Sequence, residues 1–211
     1  MMNLLLHPTY LPNIATFATL VQNSIIWEVC DNYQKQTYRN RAFICTDQGK
    51  FMLNIPIKHV GGKEGRQKYK DVKLDNDYRW QRQHWRTLQT AYRTSPFFEY
   101  YEDDLAPIFM KNHSYLLDFN LYAIDIIASC LQFRNNTRYT ALYESKPKGV
   151  LDARFLVNAK KTINIRQKSY TQVFNSRHGF IENCSVLDLL FNEGPASLDY
   201  LRNQNLDFLN A

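Results

Sequence analysis

Apolar residues recur along the chain in two rhythms, and the places where one gives way to the other outline the fold. Asn3 to His7 is a short continuous apolar run stopped by Pro8, the pattern of a buried strand. From Asn13 to Gln22 the apolar residues Ile14, Phe17, Ala18 and Val21 fall on one helical face. Pro12 suits the start of that helix, because its missing N–H costs nothing in the first turn. Ile25 to Cys30 reads as a strand again. Strand, helix and strand in such close succession make a βαβ unit, with parallel strands and a right-handed crossover. Ala42 to Thr46 and Phe51 to Lys58 then predict two paired strands around Asp47-Gln48-Gly49. In the second, Phe51, Leu53, Ile55 and Ile57 alternate with polar residues, so one face should be buried.

Beyond this, Val60 to Lys68 is a glycine-rich basic loop and Tyr69 to Leu74 another extended stretch. Asp75 or Asp77 can cap a helix from Tyr78 to Arg93, which Ser95-Pro96 ends. A shorter helix is expected around Tyr101 to Met110. The longest runs from Ser114 to Phe133, with Leu117, Leu121, Ile124, Ala128 and Leu131 along one stripe. Tyr139 to Tyr143 and Val150 to Val157 look extended. Ser185 with Asp188 resembles a capping arrangement, and Gly194-Pro195 closes that helix before the last one begins. The expected fold is α/β: an N-terminal βαβ unit, a mainly parallel sheet with strands at 3–7, 25–30, 42–46 and 51–58, and a helical C-terminal half. No linker composition interrupts residues 1–211, so they read as a single domain whose part from about 114 onward is mostly helical.

Composition narrows the classes of function. Of 211 residues 45% are apolar and 14% aromatic, with only seven glycines and seven prolines, which argues for a packed globular core. The most apolar helix carries Asp118, Asn120 and Asp125, which a bilayer would penalise, so no membrane span is expected. MMNLLLHPTYLP lacks the basic start and long apolar core of a signal peptide, and a cytoplasmic location follows as the expectation. The four cysteines form no CxxC pair, which disfavours zinc and disulfides alike. The net charge of +6 is spread among tyrosines, tryptophans and amides rather than gathered in a block. That pattern suits a pocket for a small phosphorylated or anionic molecule better than a nucleic-acid track, so nucleic acid is the less favoured partner.

Three stretches carry candidate chemistry. DNYQKQTYRNR (31–41) directly follows the second strand of the βαβ unit, at the carboxyl end where open parallel sheets collect ligands. Lys35, Arg39 and Arg41 there can neutralise phosphate, Asn40 can hydrogen-bond, and Tyr33 offers a ring face. The first strand–helix junction places His7 and Tyr10 beside backbone N–H groups at a helix start, an arrangement that can orient a pyrophosphate. In SRHGFIENCSVLDLLFNEGP, His178 is the best-placed general base, because an imidazole needs little tuning near neutral pH, and Glu193 lies at the far end of the same segment. Helix 78–93 sets His84 opposite a row of arginines that includes Arg86: either the row lines an anion site or it is a solvated face, with His84 in the core. Asp31 and Glu193 can each offer oxygen to magnesium, but no metal-ligand set and no cofactor signature is present.

With YLP near the start, DNYQKQTYRNR, HWRTLQTAYRTSPFFEYYEDD, SYLLDFN and HGFIENCSVLDLLFNEGP in order, the chain resembles the WbqC-like family in its Bacteroidetes-type form. Many members carry glutamine-proline where this chain has His7-Pro8. The resemblance implies a role in synthesising surface polysaccharide such as O-antigen, as a transferase on an activated sugar, its amino group or a related phosphorylated metabolite. It implies site residues at Tyr33, Lys35, Arg39, Asn40 and Arg41, at His84, Trp85, Tyr92 and Phe97, and at His178, Gly179, Asn192, Glu193 and Gly194. The alternative is a non-catalytic module for an anionic glycan or nucleic acid, or a scaffold in envelope biogenesis.

Overall fold

A computed structural model describes residues 3–58, 67–134 and 137–210. The βαβ unit forms as the pattern predicts. Strand β1 (Asn3–Leu6), helix α1 (Ile14–Gln22) and strand β2 (Ser24–Trp27) follow one another, and β1 and β2 pair in parallel with Leu4 opposite Ile25 and Leu6 opposite Trp27. Alternate residues of a strand share one face. Leu4, Leu6, Ile25 and Trp27 accordingly join the same buried cluster as Ile14, Phe17 and Ala18 of α1.

The rest of the parallel sheet comes from elsewhere in the chain than expected. Arg41–Thr46 (β3) and Gly49–Asn54 (β4) pair only with each other, as a separate antiparallel hairpin. A link this short allows only antiparallel neighbours, since parallel strands need a long crossover. The places beside β1 and β2 are filled instead by Thr137–Tyr139 (β5) and Leu151–Asp152 (β6), giving a four-stranded sheet in the order β5-β2-β1-β6, each pair parallel.

Helices α2 (Trp80–Tyr92), α3 (Phe98–Met110) and α4 (Leu116–Cys130) form an adjoining layer. Their expected limits hold within a few residues, but neither Asp75 nor Asp77 caps α2, whose N-cap position is Arg79 without a side-chain bond. The stretch 69–74 is a 3-10 turn at Tyr69–Asp71 followed by isolated bridges rather than a strand. The glycine-rich loop at Val60 to Lys68 falls largely outside the described residues.

Toward the C-terminus lie α5 (Asn175–His178), α6 (Val186–Glu193) and α7 (Ser197–Asn203). Ser185 caps α6, its hydroxyl accepting from the Leu187 N–H. Gly194 ends α6 at a φ of +53°, and a Cβ there would sit 2.5 Å from the Phe97 ring. Only glycine meets both demands. Among the described residues no helix is long and apolar enough to cross a membrane.

Candidate functional site

The carboxyl edge of the parallel sheet carries a buried ionic cluster. His7 follows β1, Glu28 follows β2, Thr140 follows β5, and Asp152 ends β6, two residues before Arg154. His7, Glu28, Asp31 and Arg39 are all buried, Arg39 completely. The Arg39 Nη2 group lies 2.9 Å from both Asp31 Oδ2 and His7 Nε2, while His7 Nδ1 lies 3.3 Å from the Glu28 carbonyl oxygen. One tautomer satisfies every contact. Nη2 donates one hydrogen to the carboxylate and one to Nε2, and Nδ1–H donates to the carbonyl. The 3.2 Å approach of His7 Nε2 to Asp31 Oδ2 is then two acceptors sharing one donor group.

The electrostatics agree. Burial is the largest influence on His7 and, with the Arg39 charge, outweighs the pull of Asp31, so its pKa falls to about 4 and the ring is neutral. Burial alone would raise the Asp31 carboxyl, but the Arg39 guanidinium and the Asn32 N–H that donates to it hold it below the ordinary range. With both ring nitrogens engaged and no surface exposed, His7 serves the architecture of the edge.

Arg39 is held from further sides. Its guanidinium lies 5.3 Å from the centre of the Tyr69 ring. The Asn120 amide donates to the Arg39 carbonyl at 2.7 Å and to the Tyr69 hydroxyl at 2.6 Å, and that hydroxyl donates to the Pro8 carbonyl. Even so, Arg39 Nε and Nη1 are buried without a partner among the described residues. Such unsatisfied donors are costly and uncommon in folded proteins.

Beside this cluster, the segment 31–41 is a well-anchored loop. Tyr33 N–H donates to Gln67 O at 2.8 Å, Tyr69 N–H to Asp31 O at 2.9 Å and Tyr38 N–H to Val157 O at 2.8 Å. Tyr38 packs its buried ring edge-on to Phe43 of β3, whereas Tyr33 is half-buried against the core and borders a hollow. Tyr33, Lys35, Asn40 and Arg41 line a cavity of about 350 Å³, closed on the opposite side by Asn54 and the segment from Ile55 to Ile57. Burial raises the Tyr33 phenol to about 12, against the opposing pull of Arg39 and Arg41, so its oxygen lies within the field of both guanidinium groups. Arg41 Nε and Asn40 Oδ1 are also buried without partners among the described residues. Four of the predicted ligand-binding residues thus line one hollow, while Arg39 is buried apart from it among His7, Asp31 and Tyr69.

The remaining candidates lie apart. Tyr10 is fully buried and its hydroxyl lies 2.8 Å from His84 Nδ1; the two rings stack, and Trp80 packs edge-on to His84. Burial lowers the His84 pKa to about 4. His84 is therefore the core member of the two alternatives for α2, and Arg82, Arg86 and Arg93 lie on its exposed face. The start of α1 is occupied by protein: Ile14 N–H donates to Cys184 O, Ala15 to Asn183 Oδ1, Thr16 to Asn13 Oδ1 and Phe17 to Asn13 O. Those amides have nothing left to offer a pyrophosphate, because the chain around 183–184 folds over them.

His178 places Nε2 2.9 Å from the Thr46 carbonyl oxygen and Nδ1 3.0 Å from that of Gly179. Thr46 and Arg41 are the two ends of β3, about 16 Å apart at the usual rise, so His178 does not converge with the arginines. Glu193 lines a different hollow, with Arg166, Lys168 and Tyr200. Sequence reasoning missed Glu28, Tyr69, Asn120 and Arg154. A signal existed only for Glu28, an acid directly after an apolar strand; the other three reach the edge from distant segments. Among the described residues no group of three or more His, Cys, Asp or Glu side chains could hold a metal ion.

A parallel sheet flanked by helices defines an α/β protein, and a hollow lies beside the loop that follows its second strand. The chain belongs to the WbqC-like protein family, which matches residues 7–167. It is 28% identical over 200 residues to Uncharacterized protein Rv1507c of Mycobacterium tuberculosis (strain ATCC 25618 / H37Rv), an alignment covering 81% of this chain and 84% of the relative. No solved structure matches it. The family match contains the whole buried cluster and the cavity, and leaves out His178 and Glu193.

Proposed function

We propose that the cavity beside the 31–41 loop binds a phosphorylated sugar or related small anionic metabolite, and that the protein acts on it as a transferase in surface polysaccharide synthesis. The observation that carries the reading is the Arg41 guanidinium lining the hollow, its Nε without a partner among the described residues. Charge-assisted bonds to an anion would satisfy such groups, and a guanidinium fork matches phosphate geometry. Lys35 adds an exposed cation at the rim, and Asn40, Asn54 and the Tyr33 ring suit the hydroxyls and apolar face of a sugar. A volume of about 350 Å³ encloses a sugar phosphate, whereas a nucleotide portion would extend outside.

A group transfer with a phosphate leaving group needs chiefly charge stabilisation where negative charge develops, and cations around a hollow supply that. One observation favours the alternative, a non-catalytic module for an anionic ligand. Among the described residues no imidazole or carboxylate lines the cavity, and His178 and Glu193, the candidate general bases, lie elsewhere. Thermal-shift titration with sugar phosphates and nucleotide sugars tests binding, because a ligand that prefers the folded state raises the melting temperature. At least one should raise it, and Arg41→Ala should weaken that ligand by about 10- to 100-fold, the worth of a charge-assisted bond. Shifts that survive Arg41→Ala and Lys35→Ala undiminished would remove the cavity from consideration. Release of nucleotide or phosphate in the presence of an acceptor then separates transferase from binding module.

A further inference from the structure

A further hollow, of about 280 Å³, lies between the start of α3, the end of α4 and the turn after α6. Two of the sequence stretches noted above, FFEYYEDD and FNEGP, meet there and take no part in the anion cavity. The Phe97 N–H donates to the Phe191 carbonyl, and Gly194 abuts the Phe97 ring. The turn at Gly194-Pro195 is thereby seated against the start of α3. Tyr100 and Tyr101 lie four and three residues before Asp104, the spacings that bring side chains to one side of a helix. The two rings stand nearly perpendicular, their centres 4.7 Å apart, and form a corner on the same side as the carboxylate. Tyr101 is buried, whereas Tyr100 is 70% exposed, so its ring is not committed to the core. Leu131, Pro195 and Leu198 supply apolar walls.

The charge of this hollow is one-sided. Among the described residues Asp104 is the one charged side chain that lines it, and it forms no ion pair with any of them. Other charges of α3 and its end are engaged elsewhere: Glu102 pairs with Arg93, and Lys111 lies over the Tyr122 ring. Asp103 adds a second exposed carboxylate beside Asp104. Arg134 and Arg202, the next cations along the chain from Gln132 and Leu198, do not line the hollow. Burial is the largest cause that raises the Tyr101 phenol and the Cys130 thiol, the thiol to about 11. Asp104 pushes both the same way, and no lysine or arginine acts against it. An anion here would be repelled by Asp104, and a neutral guest would gain nothing from it. A cation gains from the carboxylate and from the electron-rich ring faces together. The apolar walls offer no oxygen to a metal ion or a bare ammonium, so the charge is best carried on an alkylated nitrogen.

We propose that this hollow is a second ligand site, for a small organic cation with an alkylated ammonium group. Its methyl groups lie in the tyrosine corner and against Leu131 and Leu198, and Asp104 neutralises its charge. No residue of this site lines the anion cavity, so failure of one reading leaves the other standing.

The test is a methyl-detected NMR titration of the full chain with choline, its uncharged carbon isostere 3,3-dimethylbutan-1-ol, and ethanolamine. Choline should shift the Leu131 and Leu198 methyls saturably, with the isostere and ethanolamine each roughly tenfold weaker or more. Asp104 is exposed, so Asp104→Asn should leave the fold intact while weakening choline by roughly tenfold. Tyr100→Ala, also at an exposed position, should weaken it by about two- to fivefold. Absence of saturable shifts at these methyls, a comparison probe that binds as tightly as choline, or indifference to either variant would each overturn the assignment.

Discussion

Two buried polar clusters stabilise this protein, and they are finished to different degrees. Around Asp188 on α6, Tyr92 donates to Oδ1 at 2.8 Å, while Tyr170 and Gln172 donate to Oδ2 at 2.5 and 2.8 Å. Gln172 also exchanges both its polar ends with Ile181, and the Tyr92 hydroxyl accepts from the Cys45 N–H. No side-chain atom of these four residues is left orphaned among the described residues. Around Arg39, by contrast, two guanidinium nitrogens lack partners, and so do Asn120 Oδ1 nearby and Arg41 Nε at the hollow. A completed network fixes segments together. An incomplete one beside a cavity marks a candidate site, since buried polar groups usually find partners.

The largest expected effect breaks the completed cluster. Asp188→Ala strands two phenols and an amide in the core, and should cost about 3–5 kcal/mol in denaturant unfolding with little change in anion binding per folded molecule. Arg39→Met should cost about 3 kcal/mol, because it leaves the Asp31 carboxylate with one partner fewer. Adding Asp31→Asn should recover most of that loss, as removing both members of a buried pair often does. The double variant should nevertheless fail in the sugar-phosphate thermal shift. A double variant that binds normally would mean that Arg39 is as structural as Asp188.

How far the sequence spelled this out depended on the range of the interactions. The βαβ unit, α2 and α4 were legible because periodicity is local: Leu4, Leu6, Phe17 and Leu88 report their own burial. The grouping of Lys35, Asn40 and Arg41 around one hollow was legible in DNYQKQTYRNR because chain proximity alone brings them there. The partners β5 and β6 were not, since strands of two or three residues leave too little pattern and their pairing is set by the tertiary fold. The tasks of Arg39 and Asp188 were hidden for the same reason. Arg39 reads as one more loop cation, yet it is completely buried between His7, Asp31 and Tyr69. Asp188 reads as a capping partner, but its carboxylate turns inward to residues 96, 18 and 16 positions away.

Acid should expose the difference between the clusters by titration. His84, with an ordinary value of 6.5 lowered to about 4, excludes a proton that the unfolded chain takes up readily. Stability therefore falls as pH drops from about 6.5 toward 4, by on the order of 3 kcal/mol for this residue, and His7 acts in the same direction. Asp188 opposes them. Burial raises its pKa despite its three donors, so above the ordinary carboxyl value its charged form weighs against folding, and acid relieves that cost. Unfolding midpoints measured between pH 7 and 4 should decline less steeply in His84→Gln than in the wild type. Equal slopes would show that His84 keeps its proton in the fold.

The smallest effect on stability sharpens the comparison most. Arg41 is half-buried at the edge of the hollow, and its Nε finds no partner among the described residues. Truncating it removes a desolvated donor without stranding any acceptor, so Arg41→Ala should change unfolding free energy by no more than about 0.5 kcal/mol. Lys35→Ala, at an exposed position, should do less still. Both should depress the ligand-induced thermal shift, Arg41 more than Lys35, because a buried guanidinium meets less solvent screening than a surface ammonium. Stability and binding would then separate: Asp188 moves the first without the second, and Arg41 the second without the first. A loss of several kcal/mol in Arg41→Ala would mean that the fold itself spends this guanidinium, and the contrast between a finished and an unfinished cluster would no longer mark the site.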